Sequence, residues 1–187
     1  MVVKSSTSAG EDHTGAGDPS ARHAMRRHHF VLALLVVLLD RFSKWLVASR
    51  IGLHDSVPVL PGFFRLTHVQ NSGAAFGLFA DSSSEWKVAI LILFSLLALA
   101  VVSALLWKNS HVITTTGVGL ALILGGAVGN LWDRLLTGHV VDFLDFYLGS
   151  YHWPAFNIAD SAIVIGALLL VSEILFARSP AEVKNSF

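Results

Sequence analysis

Residues 88–107 read VAILILFSLLALAVVSALLW, an unbroken run without a charged side chain. Crossing about 30 Å of hydrocarbon as an α-helix takes about 20 largely apolar residues, so this run alone implies a helix that spans a bilayer. The whole chain agrees with it. Of its 187 residues 53% are hydrophobic and only 14% charged, whereas a soluble domain carries about 25% charged residues. Mean hydropathy is +0.63. Lys and Arg total 13, balanced by 13 Asp and Glu, which leaves no basic surface for nucleic acid. Cysteine is absent. That excludes disulfides, thiolate zinc sites and cysteine nucleophiles together. The nine histidines lack metal-ligand spacing, so neither a metal nor a cofactor is expected.

Three more segments outside that run are long enough to span: about 29–48, 116–136 and 157–176. The predicted architecture is therefore an all-α integral membrane protein with four transmembrane helices. Residues 28–177 form the membrane domain. The first apolar run follows Arg22, Arg26 and Arg27, as in a signal peptide, but it carries Asp40, Arg41 and Lys44 and lacks a small-residue cleavage site close behind it. It is read as a retained span. Residues 1–27, rich in Ser, Thr, Gly, Asp and Ala, cannot bury enough surface to offset their ordering entropy and are expected to be a disordered tail. Residues 178–187 are read as a short cytoplasmic tail.

The positive-inside rule orients the bundle. Arg22, Arg26, Arg27, Lys108, Arg178 and Lys184 flank one side, and Arg50, Arg65 and Lys87 the other. Both termini are thus predicted in the cytoplasm. The loop of residues 49–87 holds β-branched and aromatic clusters around Pro61-Gly62, the pattern of a small extracytoplasmic β-structure in this first outer loop. Trp86, Trp107 and Trp132 fall near span ends, as interfacial anchors do.

Ionisable groups near lipid are costly and are functional candidates by default. In this topology they gather at one face. Asp40 and Lys44 stand four apart in the outer half of the first span and can form an ion pair. Asn71 lies in the outer loop, while Asn130, Asp133 and Arg134 close the third span. Asp142 follows just beyond that helix, and Asn157 and Asp160 open the fourth. Asp142 and Asp160 are the expected catalytic pair. Two carboxylates at one site do not both ionise cheaply, so one holds a proton. The charged member can then draw a proton from water while the other donates to a leaving amide nitrogen. Asp160 sits near a helix N-terminus, where the dipole favours the anion, which biases the resting proton toward Asp142.

Each residue also has a plainer reading. Asn157 with Asp160 fits a helix cap with an acid three positions later. Asp142 could be a surface acid, and Asp145 fits that description better and is left outside the pair. Asp40 with Lys44 reads first as a structural ion pair, and Asp133 beside Arg134 as an ordinary helix-end pair. Gly125, Gly126 and Gly129 suit close helix approach.

DRFSK (40–44), NSGAAFG (71–77), GGAVGNLWDR (125–134), GHVVDF (138–143) and FNIADSAIVIG (156–166) occur in this order. Together they strongly resemble the lipoprotein signal peptidases, or type II signal peptidases, over about residues 28–177. The resemblance implies an aspartic endopeptidase of the bacterial cytoplasmic (inner) membrane with its site at the outer face. Its substrate would be a diacylglyceryl-modified prolipoprotein, cut just before the lipidated cysteine, and it would be blocked by globomycin-type inhibitors. The catalytic aspartates would be Asp142 and Asp160. Asn71, Asn130, Arg134, Asn157, Asp40 and Lys44 would bind substrate or support the pair. The enzyme is expected to act as a monomer in membrane lipid.

Two other classes fit parts of the pattern. A proton-coupled transporter would need ionisable groups at several depths, but the second span has none and the fourth, beyond Asp160 at its outer end, only Glu173 near its inner end. An assembly subunit would use the polar groups as glue between helices, and Asp142 would then tolerate replacement.

Overall fold

The structure, a computed structural model, describes residues 19–73, 85–109 and 114–176. In chain order the elements are α1 (Pro19–Arg50), β1 (Ser56–Leu60), β2 (Phe64–Asn71), α2 (Glu85–Asn109), α3 (Thr115–Thr137), β3 (Val140–Leu148), β4 (Tyr151–His152) and α4 (Ile158–Phe176). Among the described residues three helices are long and apolar enough to cross a membrane: Val88–Lys108 within α2, then α3 and α4. The apolar stretch of α1 is interrupted by Asp40, Arg41 and Lys44, and this helix is not among the three.

The third helix is the centre of the bundle, packed against the other three. Its glycines make that possible. A Cβ on Gly125 would lie 2.6 Å from the carbonyl oxygen of Ala33 in α1, and one on Gly166 of α4 would lie 2.5 Å from that of Gly119. A side chain at either place would push two backbones apart, so small residues set the helix spacing here, as the glycine reading anticipated. Ala33, Leu106, Leu120 and Leu124 fill the junction of α1, α2 and α3. Thr114 caps α3 by accepting from Gly117 N at 3.0 Å. Gly138, in the left-handed region at φ 75°, ends it by donating to the carbonyl of Arg134 at 3.1 Å. The chain leaves α3 sharply and enters β3 two residues later.

All strand pairings are antiparallel, in the order β1-β2-β3-β4. Val47 and Ile51 at the end of α1 pack with Phe143 of β3, joined by Leu66 and Ile158. This cluster seats the sheet on the ends of α1 and α4. It also requires two corrections. The β-structure was expected in the first outer loop alone, yet β3 and β4 come from the loop after α3. Asp142, expected in a connecting loop just past a helix, is the third residue of β3. Physically, VVDFLDFYL is rich in β-branched and aromatic residues that suit a half-buried pleated surface, and β2 offers it a partner edge.

A third correction concerns the tail. The first helix starts at Pro19, inside the stretch expected to be disordered. Proline is preorganised for a first helical position, and the following ARHAMRR has strong helix formers. Residues 1–18 and the C-terminal tail lie outside the described residues, as does most of NSGAAFG.

Candidate active site

The register of β2 on β3 begins the site. Val69 stands opposite Asp142, and Asn71 opposite Val140. Asn71 is therefore the diagonal same-face neighbour of Asp142, within reach of its carboxyl. Its Nδ2 donates to Asp142 Oδ2 at 2.9 Å, while its own Oδ1 accepts from Gly73 N at 2.9 Å.

The start of α4 supplies the second acid. Asp160 N donates to Asn157 Oδ1 at 2.9 Å, and Asn157 N donates back to Asp160 Oδ2 at 3.2 Å. This is the reciprocal capping arrangement read from the sequence. It does not exhaust either residue. Asn157, fully buried, also donates through Nδ2 to Asp142 Oδ1 at 2.7 Å. One asparagine thus holds both acids, Asp142 by its side chain and Asp160 by its backbone.

The supporting groups come from α1 and α3. Asn130 Nδ2 donates to Asp160 Oδ1 at 2.7 Å. Its Oδ1 accepts from Lys44 Nζ at 2.9 Å and from Asn157 Nδ2 at 3.3 Å. An ammonium only donates, so Lys44 fixes which way the Asn130 amide faces. Lys44 in turn pairs with Asp40 at 2.7 Å and with Asp133 at 2.8 Å. Asp40 Oδ1 accepts from Ala159 N at 3.0 Å, in the first turn of α4. The expected Asp40–Lys44 pair exists, but it also ties α1 to α3 and α4. A Cβ on Gly129 would meet Asp40 Oδ2 at 2.7 Å, so this glycine is what admits Asp40 to the junction.

Asp133 was read as an ordinary helix-end partner of Arg134. Instead it is buried and takes Lys44 and Arg41 from α1. Arg134 reaches Gly73 O at 3.3 Å and Asn130 O at 3.4 Å. Side chains one apart on a helix diverge, which is why the neighbours part. Arg41 was not singled out as a site residue. Its signal was present in DRFSK, three residues from Lys44 on a helix that also carries Asp40.

Asp142, Asp160, Asn71, Asn130 and Arg134 all line one cavity of about 570 Å³. The rest of its wall is mostly apolar, including Trp153, Pro154 and Phe156 before α4 and Ile163, Val164 and Ile165 on it. Lys44, Asp40 and Asn157 stand behind this lining. Burial pushes the Asp142 carboxyl up to about 6. The hydrogen bond from Asn71 opposes that rise, the nearby charge of Asp160 adds to it, and Asn157 and Lys44 oppose it further. An acid that titrates near neutrality beside a second acid can trade a proton with a substrate. Asp145, the third carboxylate nearby, is not in the lining; it pairs with Arg65 at 2.6 Å.

Comparison with known proteins gives the relationship. The family described as "Signal peptidase (SPase) II" matches residues 32–176. The lipoprotein signal peptidase of Solibacter usitatus is 45% identical over 157 residues, covering 84% of this chain and 96% of the relative. That of Desulforapulum autotrophicum is 47% identical over 150 residues, covering 80% and 93%. Among solved structures, one described as a bacterial membrane enzyme has a TM-score of 0.71 at 31% identity and covers 86% of this chain and 92% of its own. A second, described in the same words, has a TM-score of 0.71 at 32% identity, covering 81% and 94%. With the match running from α1 to the last residue of α4, the chain belongs to the signal peptidase II family.

Proposed function

We propose that this protein is a multi-pass membrane aspartic endopeptidase that removes signal peptides from prolipoproteins, with Asp142 and Asp160 as its catalytic pair. The carrying observation is that both carboxyls border one cavity while Asn157 donates to each, at 2.7 Å and 3.2 Å. Such a pair shares a proton. Asp160, at the N-terminus of α4, carries the charge and takes a proton from the attacking water. Asp142, raised toward neutrality by burial, holds the other proton and passes it to the leaving amide nitrogen. The pair titrates as a unit, so this division is a bias between two linked groups. Asn71 and Asn130 orient the acids, Arg134 holds the peptide backbone, and Lys44 with Asp40 keeps Asn130 and α4 in place.

The substrate is a prolipoprotein already carrying diacylglyceryl on its cysteine, cut just before that residue. The apolar wall of the cavity supports this, since Val164 and Ile165 line it and are also exposed on α4. An acyl chain can therefore slide in from the lipid. A globomycin-type cyclic peptide would occupy the same space. In the proposed topology α1 is a fourth span, both termini face the cytoplasm of the bacterial inner membrane, and the sheet faces outward. The enzyme is proposed to act as a monomer.

The test is cleavage of a purified diacylglyceryl-modified prolipoprotein, followed by gel shift. The wild type should cleave, and globomycin should stop it. Asp142→Asn and Asp160→Asn should each lose at least about a hundred-fold in rate while remaining folded and membrane-inserted. Full activity in either variant removes the paired-acid mechanism.

A further inference from the structure

One wall of the cavity is the segment from Trp153 to Phe156, a strap that leads from β4 toward α4, and little secondary structure holds it. The strand β4 that leads into it has only two residues, paired as Tyr147↔His152 and Leu148↔Tyr151. Side chains do the rest. Arg65 and Asp145 stand directly opposite on β2 and β3, and Arg65 Nε donates to Asp145 Oδ2 at 2.6 Å. The other oxygen of Asp145 meets His152 Nδ1 at 3.1 Å. The His152 ring stacks on Tyr147 at 5.1 Å, and the Arg65 guanidinium lies 5.4 Å from the same Tyr147 ring. The far end of the strap is fixed separately. There Phe156 stacks on Phe146 at 5.9 Å and exchanges backbone bonds with Leu144 at 2.8 and 3.2 Å. Between these two anchors run Trp153 and Pro154, both in the cavity lining.

We propose that Asp145 is a positioning residue: by bridging Arg65 on β2 and His152 on β4, it holds the Trp153–Pro154 wall against which the apolar part of the substrate packs. Asp145 bonds Arg65 and His152, neither of which lines the cavity, so it governs how well substrate is seated and not the proton transfers. A carboxylate gripped by two donors is worth more than a neutral contact. Its placement on β3, between β2 and β4, lets one side chain set the position of a strap too short to set its own. This rests on the proposed prolipoprotein activity for its kinetic arm, but not for its structural one.

Two measurements decide it. In the first, purified Asp145→Asn cleaves diacylglyceryl-modified prolipoprotein with KM raised about ten-fold or more. Its kcat stays within about two-fold of wild type, the pattern of lost binding without lost chemistry, and the shape of its pH profile is unchanged. His152→Phe, which keeps a ring on Tyr147 but drops the bond to Asp145, shifts KM the same way and covers the case that Asp145→Asn fails to fold. In the second, amide hydrogen exchange at Trp153, whose N–H is bonded to Phe146 O at 2.8 Å, accelerates in both variants. A fall in kcat at constant KM, or exchange at Trp153 as slow as in wild type, overturns the assignment. Should wild-type protein fail to cleave the precursor, the proposed function falls, and the exchange measurement alone still decides whether Asp145 holds the strap.

Discussion

Replacing Asn71 by Ala should move the alkaline limb of the pH–rate profile upward. Asn71 Nδ2 donates to Asp142 Oδ2 at 2.9 Å, and it is the leading influence that opposes the rise caused by burial. A hydrogen bond to a charged group contributes about 1.5–3 kcal/mol. Asn71 is only half-buried and borders the cavity, so water recovers part of the loss and the lower end applies. About 1.4 kcal/mol corresponds to one pKa. The Asp142 carboxyl, at about 6 in the wild type, should therefore titrate near 7 in Asn71→Ala. The sign follows from the bond stabilising the ionised form: without it the proton is held more tightly. If Asp142 must be protonated at the start of the reaction, the variant stays active about one pH higher before its rate falls. The assay is kcat/KM for prolipoprotein cleavage between pH 5 and 9, because that ratio reports the free enzyme. The absolute rate will also fall, since an amide that helps hold the site is gone, so the position of the limb is the measured quantity. A limb that stays in place or moves down would refute Asp142 as the resting proton holder.

Further predictions follow from the same network. Lys44→Met leaves Asp40 and Asp133 buried without their shared cation and should destabilise the fold by about 3–5 kcal/mol. Thermal unfolding in detergent measures it, and replacing Asp40 as well should recover part of the loss. Gly129→Ala puts a methyl group against Asp40 Oδ2. Overpacking of this kind costs about 1–3 kcal/mol, and displacement of Asp40 from Ala159 N should reduce cleavage more than it reduces helicity. Thr114→Ala removes the cap of α3 at the end remote from the acids and should cost about 1 kcal/mol with kcat/KM unchanged. Asp142 also contributes to stability against pH. Its folded pKa lies above the ordinary 3.8, so the contribution is complete below that value and lost as pH rises through about 6. Unfolding temperature should step down across this window in wild type and not in Asp142→Asn.

Asp145 and Asp133 show where reading the chain stopped short. Both are carboxylates within a few residues of site groups; in the linear sequence Asp145 looks like a surface acid and Asp133 like a helix-end partner of Arg134. Asp145 is buried because β2 lays Arg65 opposite it. Asp133 is buried because glycines on α3 bring α1 close enough for Lys44 and Arg41 to reach it. Arg65 lies 80 residues from Asp145 in the chain and Arg41 lies 92 from Asp133, and charge pattern alone carries no distance across such a gap. The second half of the sheet was missed for a related reason. VVDFLDFYL has strand-forming residues, but without its pairing edge it reads equally well as a loop between two spans. Asn157 with Asp160 was legible because a capping box is local, closing within one helical turn.

Hydrophobic run length, charge placement and five short motifs by themselves determined that this chain belongs in a membrane, and they pointed to polar groups sharing one end and to the two aspartates proposed as a pair. Those are properties of composition and near-neighbour spacing, which a chain carries before it folds. Only the tertiary structure decided what those aspartates face. A strand register brings Asn71 beside Asp142, one asparagine spans both acids, and a lysine on the first helix sets an amide on the third. Contacts between segments tens of residues apart depend on packing distances, and only the folded chain has those.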